Sequence, residues 1–354
     1  MKLAFLNFIF LPLAALAVCS KGQLCQLDIP GALCADGSQS YINYIDRGSE
    51  NLFVYAQGGG ACFDAVTCGC RVKDKKCKGS NEGGDGALAG YLSRPPMDSQ
   101  VHPWSQGEDN PIGEANYVEI VYCTGDVYTG AGQANYGHKL LPLLVGHYGA
   151  KNFELSIDQA KVLFPNVKKV TVIGSSAGGL GVTYNLHHIV RNFGNTDLSV
   201  INDSGIPIFA KYLNGEKIQQ VLKSWNVLAS LPADIVVDEA FDFEDIYKFN
   251  AEKFGNIKWA FLGATEDAVF ANYFRLLGGS SDSVKKSLGE AAELMRTASH
   301  QHYFFDTGKW HTATFMTSYG VPKKLLPESH GINVDEWIAL MVSGDKEWGD
   351  IAAD

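Results

Sequence analysis

The stretch Gly174-Ser175-Ser176-Ala177-Gly178-Gly179 contains a G-x-S-x-G pattern and carries the clearest chemical signal in the sequence. It follows the β-branched run Val170-Thr171-Val172-Ile173 and precedes a helical pattern from Leu180. A serine at a sharp strand-to-helix turn is lifted clear of the sheet. Its flanking glycines let other backbone come close, and the helix N-terminus favours a developing anion. Alone, the pattern is as often an ordinary Gly-Ser turn; its placement makes Ser176 a candidate nucleophile for acyl transfer. Upstream, residues 52–56 run into Gln57-Gly58-Gly59-Gly60-Ala61-Cys62, a strand ending in three glycines like the HGGG oxyanion loops of many esterases. Amides of this loop, with that of Ala177, can bind a tetrahedral oxyanion. A phosphate-binding loop is the alternative, but neither Gly-Lys-Ser/Thr nor G-x-G-x-x-G follows.

A serine nucleophile needs a base and an acid to orient it. In strand-elbow hydrolases these follow in the order Ser, Asp or Glu, His, each at the end of a later strand. The apolar segment 259–262 leads into Gly263-Ala264-Thr265-Glu266-Asp267, and segment 303–305 leads into Asp306-Thr307-Gly308-Lys309-Trp310-His311. Asp267 is assigned as the orienting acid, with Glu266 in reserve, and His311 as the general base. Among the nine histidines, His102, His138 and His147 precede Ser176, His187 and His188 sit in the following helix, and His300 and His302 lie on the entry side of the last strand. His330 is a later alternative. Asp126 and Asp203 stand beside strand ends, where bracing a loop is the expected role. Trp310 and Tyr128 are candidates to line an acyl or sugar pocket, or core residues. Asn202-Asp203-Ser204 fits a glycosylation sequon, although its place at a strand end argues against modification.

The elements that must position these residues are legible as short apolar segments at 52–56, 117–122, 170–173, 198–201, 259–262 and 303–305. Near-continuous hydrophobicity suits strands buried on both faces. Helical patterns lie between them at 157–163, 180–191, 217–228, 267–277 and 284–298. The alternation predicts an α/β fold of the α/β-hydrolase type: a mainly parallel sheet with helices on both faces. Residues 68–113, rich in Gly, Lys, Asp and Pro, read as a loop insertion, and 18–354 as one catalytic domain.

The chain has 354 residues, 46% hydrophobic and 19% charged, with a formal net charge of -10. This suits a globular protein with a sizeable core. The densest basic stretch, Arg71-Val72-Lys73-Asp74-Lys75-Lys76, is broken by an acid, so nucleic acid is excluded as a partner. Residues 1–17 place Lys2 before an apolar run ending Ala15-Leu16-Ala17, the pattern of a cleaved secretion signal. As a membrane anchor the run is too short, broken by Asn7 and Pro12, so no stable membrane insertion is expected. All eight cysteines fall within the first 123 residues, which after an export signal points to disulfides. A zinc cluster on Cys62, Cys68, Cys70 and Cys77 is the rival reading.

The sequence resembles the pectin acetylesterase family, which includes the lipid-removing Notum carboxylesterases. The resemblance rests on Cys34-Ala35-Asp36-Gly37 with Tyr41 and Tyr44, the segment from Gln57 through Cys62 to Thr67-Cys68, Tyr122-Cys123-Thr124-Gly125-Asp126-Val127-Tyr128-Thr129-Gly130, the Ser176 motif and Asp203-Ser204-Gly205. It implies an α/β-hydrolase fold, a Ser176, Asp267, His311 triad, an oxyanion hole at Gly59, Gly60 and Ala177, and disulfides Cys34–Cys123 and Cys62–Cys68. Cys19–Cys25 and Cys70–Cys77 follow only by remainder. Plant members carry a Cys-x-His-Cys context at the histidine. Here Lys309-Trp310-His311-Thr312-Ala313 is closer to shorter microbial members. The expected function is a secreted serine esterase that removes acetyl groups from a polysaccharide such as pectin, without metal or organic cofactor. The alternatives are an esterase for longer acyl chains and a catalytically silent carbohydrate-binding relative.

Overall fold

The computed structural model describes residues 19–68, 92–97, 101–105, 110–280, 282–319, 321 and 325–353. The expected leader at 1–17, residues 69–91 of the expected insertion, and the pairing of Cys70 with Cys77 lie outside the described residues.

All six apolar segments form strands, and burial explains their composition. Ten strands bear on the site: β1 (Cys25–Leu33), β2 (Gln39–Ile45), β3 (Asn51–Ala56), β4 (Asn116–Ile120), β5 (Gly132–Asn135), β6 (Leu144–His147), β7 (Lys169–Ser175), β8 (Asp197–Asp203), β9 (Lys258–Ala264) and β10 (Gln301–Asp306). Eight of them form one sheet in the order β1-β2-β4-β3-β7-β8-β9-β10. From β4 to β10 every pairing is parallel, whereas β1 and β2 add antiparallel strands at one edge. Successive side chains of a strand point to opposite faces, so each central strand feeds two cores. Leu52 and Val54 join one hydrophobic cluster while Phe53 and Tyr55 join the other, and Phe261 and Leu262 divide likewise.

Among the described residues, seven helices serve the first face: α1 (Gly149–Leu163), α2 (Ala177–Tyr184), α3 (Leu186–Phe193), α4 (Gly215–Trp225), α5 (Phe243–Lys253), α6 (Ala268–Leu276) and α7 (Ser283–Met295). On the second face α8 (Val334–Ser343) buries Trp337, Ile338 and Met341. The single helix expected over 180–191 is two, divided at Asn185, whose Nδ2 donates to Tyr128 O and Gly181 O at 2.9 Å each. Strands β1, β2, β5 and β6 and helices α5 and α8 are not among the elements predicted from the sequence. Disulfides join Cys34 to Cys123, Cys62 to Cys68 and Cys19 to Cys25. Cys62 and Cys68, which the zinc alternative would use, are thus bonded to each other. Among the described residues no helix is long and apolar enough to cross a membrane.

The parallel arrangement carries the loops after β3, β7, β8, β9 and β10 to one end of the sheet. From β3 the chain passes to β4 on one side, whereas β7 pairs on the other. Such a reversal opens a crevice beyond the carboxyl ends of the strands.

Candidate active site

Strand β7 ends at Ser175, level with Asp203 of β8, and α2 begins at Ala177. Ser176 bridges them with φ 56° and ψ -117°, a conformation costing a non-glycine residue about 1–3 kcal/mol. The turn persists because its surroundings allow nothing wider. A Cβ on Gly174 would collide with Gly178 O, and one on Gly178 with Ala56 O. The Ser176 amide donates to Asp203 O at 2.8 Å. The serine side chain is therefore held at the crevice floor by a strained, close-packed turn.

His311 follows β10, and Asp267 follows β9 as the N-cap of α6. Asp267 Oδ1 accepts the amides of Val269 at 2.9 Å and Phe270 at 3.0 Å, while Oδ2 lies 2.7 Å from His311 Nδ1. The capped oxygen fixes the carboxylate plane, and the other receives the imidazole N–H. This keeps the proton on Nδ1 and leaves Nε2 with its lone pair, the form a general base requires. Asp267 is fully buried. Glu266 instead points to solvent, with Lys309 Nζ 3.8 Å away. His330 Nε2 donates to Ala352 O at 3.2 Å.

After β3, Gly59 and Gly60 adopt φ values of 144° and 73°, which glycine alone tolerates readily. The neighbouring amides are already engaged: Ala61 N donates to Tyr273 Oη at 3.0 Å and Cys62 N to Gly125 O at 2.8 Å. Tyr122 Oη donates to Gly60 O at 2.9 Å, and Trp225 Nε1 to Cys62 O at 3.0 Å. Among the described residues the amides of Gly59 and Gly60 have no acceptor, and Ala177 contributes the first amide of α2, which has no acceptor within its own helix. Donors fixed before charge develops need no reorganisation to stabilise it.

Two supports of this loop were invisible in the sequence. Tyr273 comes from α6, more than 200 residues downstream. Gln57 is buried, its Nε2 donating to Glu119 Oε1 at 2.7 Å and its Oε1 accepting Tyr122 N at 3.0 Å. Burial pushes the Glu119 carboxyl up to about 7 against the pull of Asn43 and Gln57. Asp126 braces the neighbouring loop, accepting Thr124 Oγ1 at 2.7 Å, Tyr128 N at 3.1 Å and Gly149 N at 2.8 Å. Asn202 is fully buried, donating to Thr183 Oγ1 at 3.0 Å, so the folded chain does not present its sequon.

A narrow apolar cavity reaches from Ser176, Gly60 and Ala177 toward α4 and α6. Its wall is apolar, with Phe63, Val127, Leu180, Ile218, Trp225 and Phe270 prominent. Neither pocket candidate from the sequence lines it. Trp310 Nε1 donates to Asp306 Oδ2 at 2.7 Å, and Tyr128 is core, its hydroxyl donating to Gln57 O and Ile120 O at 3.0 Å.

Residues 21–234 match the family profile described as Pectinacetylesterase. That span holds the triple-glycine loop and Ser176 but ends before Asp267 and His311, which stand on geometry. The chain is 27% identical over 191 residues to palmitoleoyl-protein carboxylesterase notum1a of Danio rerio, covering 51% of this chain and 35% of that protein. It is 28% identical over 219 residues to pectin acetylesterase 11 of Arabidopsis thaliana, covering 57% of this chain and 51% of that protein. The matched region thus spans between a third and a half of these relatives. Among solved structures, the Wnt deacylase Notum from Drosophila superposes with a TM-score of 0.63 at 17% identity, covering 93% of this chain and 95% of that one. That likeness bears on the fold.

Proposed function

Because this chain belongs to the pectinacetylesterase family, we propose that it is a serine carboxylesterase in which Ser176 is the nucleophile, His311 the general base and Asp267 the acid that orients it. The carrying observation is the 2.7 Å contact between His311 Nδ1 and Asp267, made at the same sheet end as the strained serine. In this reading Ser176 Oγ attacks the ester carbonyl while His311 Nε2 takes its proton. The oxyanion forms against the amides of Gly59, Gly60 and Ala177, each such donor being worth about 3 kcal/mol in the transition state. His311 then protonates the departing alkoxide. Water, activated by the same imidazole, cleaves the acyl-enzyme and releases the acid.

The apolar cavity beside Ser176 supports an acyl group longer than acetyl, since each buried methylene contributes about 0.8 kcal/mol. Removal of acetyl groups from a polysaccharide is supported by the family description and by the plant relative. Three disulfides support an oxidising compartment, and with it secretion. Hydrolysis of p-nitrophenyl acetate and p-nitrophenyl octanoate, beside Ser176→Ala, tests both levels. Activity lost by orders of magnitude in the variant supports the nucleophile, and a preference for octanoate supports the longer acyl group. Equal activity in the variant would refute the reaction, and a preference for acetate the acyl assignment.

A further inference from the structure

We propose that Asp203 is a positioning residue for His311, fixing the loop that carries the imidazole and setting a second buried negative charge behind it. The inference rests on His311 being the general base. Asp203 ends β8 and touches both halves of the machinery. Its carbonyl accepts the Ser176 amide at 2.8 Å. Its carboxylate takes the chain beyond His311: Oδ1 accepts Ala313 N at 2.9 Å, and Oδ2 accepts Thr314 N at 3.0 Å and Thr314 Oγ1 at 2.6 Å. Ser204, in a left-handed conformation with φ 60°, accepts Thr312 N through Oγ at 3.0 Å, and Thr312 itself has φ 59°. Three consecutive amides after His311 are therefore clasped by the dipeptide whose carbonyl fixes the nucleophile.

The site requires a carboxylate rather than its isosteric amide. Each oxygen of Asp203 faces a backbone N–H, which can only donate; an Asn would set its NH2 against one of them in either orientation. Behind the carboxylate lies a chain of hydrogen bonds with one consistent direction. Trp104 N donates to His102 Nδ1 at 3.2 Å, so Nε2 carries the proton and donates to Thr314 Oγ1 at 3.1 Å, whose own hydrogen goes to Asp203. His102 packs against Phe53, Tyr55 and Phe315, and burial pushes it down to about 3, so it supplies a dipole and no charge. Tyr55 on the same side stays neutral, raised by burial and by Glu119. Burial holds the Asp203 carboxyl above the usual carboxylate range, although the Thr314 hydrogen bonds and the charge of His311 pull it down. Among the described residues, the remaining charged groups beside His311 are its partner Asp267, the surface pair Lys309 and Glu266, and Asp306, which holds Trp310. A buried anion so placed favours the imidazolium that forms as Ser176 attacks.

The test compares wild type, Asp203→Asn, Thr314→Val, Thr314→Ser and Ser176→Ala on p-nitrophenyl octanoate from pH 5 to 9. Asp203→Asn is expected to lower kcat by about 100-fold with KM within about threefold. It should also move the acid limb of kcat/KM to lower pH by about half a unit, because the cation loses a neighbouring charge. Thr314→Val should lower kcat about fivefold, and Thr314→Ser, which keeps the hydroxyl, should restore it. A folded Asp203→Asn with kcat within about threefold of wild type, or with lowered kcat and an unmoved acid limb, overturns the proposal. Should Asp203→Asn fail to fold, Thr314→Val decides, and wild-type kcat there overturns it. An inactive wild type, or Ser176→Ala as active as wild type, removes the underlying reading itself, an outcome distinct from any confined to Asp203 and Thr314.

Discussion

Replacing Asp267 by Asn separates the orienting role proposed for this residue from its structural one. The carboxylate does two jobs with two oxygens: Oδ1 caps α6 through the amides of Val269 and Phe270, and Oδ2 accepts the His311 Nδ1 proton. An Asn must keep its oxygen on the two amides, because the opposite orientation would set an NH2 against both. Its NH2 then faces His311 and drives the imidazole to the tautomer with the proton on Nε2, which cannot accept from Ser176. The cap survives, so stability should change by less than the ~1 kcal/mol a lost cap costs. The rate should fall by on the order of 10⁴, about 5.5 kcal/mol in the barrier. Initial rates on p-nitrophenyl octanoate, beside thermal melting of the same preparations, read both quantities. Glu266→Gln is the control, since its side chain is 61% exposed and, among the described residues, faces Lys309; its rate should stay within about twofold of wild type. Asp267→Asn with more than about a tenth of wild-type activity, or a large loss in Glu266→Gln, would refute this assignment of the acid.

Tyr273→Phe leaves the buried Ala61 amide without its 3.0 Å acceptor, which should cost about 1–3 kcal/mol; a lowered melting temperature with reduced kcat is expected, and an unchanged enzyme would mean the loop needs no such anchor. Ile218→Phe adds bulk to the cavity wall, so the octanoate-to-acetate ratio in kcat/KM should drop at least about tenfold while acetate turnover holds; an unchanged ratio would place the acyl chain elsewhere. Burial moves the Glu119 carboxyl from 4.5 to about 7, so the folded protein binds more protons than the unfolded chain in that interval. Stability therefore falls as pH rises through it, by up to about 3 kcal/mol. Glu119→Gln should flatten the melting temperature between pH 5 and 7, and an unaltered slope would assign it to other groups. The Cys34–Cys123 bond closes a sequence separation of 89, and replacing both cysteines by serine should cost about 2–5 kcal/mol in chemical denaturation.

What the sequence disclosed was local. A strand running into Gly-x-Ser-x-Gly and a helix leaves its mark in adjacent residues, and the six parallel strands announce themselves because both faces of each are buried. Strand β1 was silent for the opposite reason: its residues alternate irregularly between exposed and buried, and Pro30 and Gly31 interrupt it. The division of the helix after Ser176 depends on Asn185 reaching the carbonyl of Tyr128, a contact no local pattern encodes. The same holds for the cavity, which α4 and α6 complete from distant parts of the chain, and for Asp203, whose donors lie 110 and 111 residues downstream. For Trp310 and Tyr128 the sequence left pocket and core both open, because an aromatic near a strand end looks alike in either place.

Covalent labelling tests whether Ser176 is the nucleophile. A fluorophosphonate probe, followed by intact mass and peptide mapping, should add one equivalent on the peptide containing Ser176, with loss of esterase activity in step and no adduct in Ser176→Ala. An active enzyme that takes up no probe, or takes it up on another residue while Ser176→Ala remains active, would contradict the account.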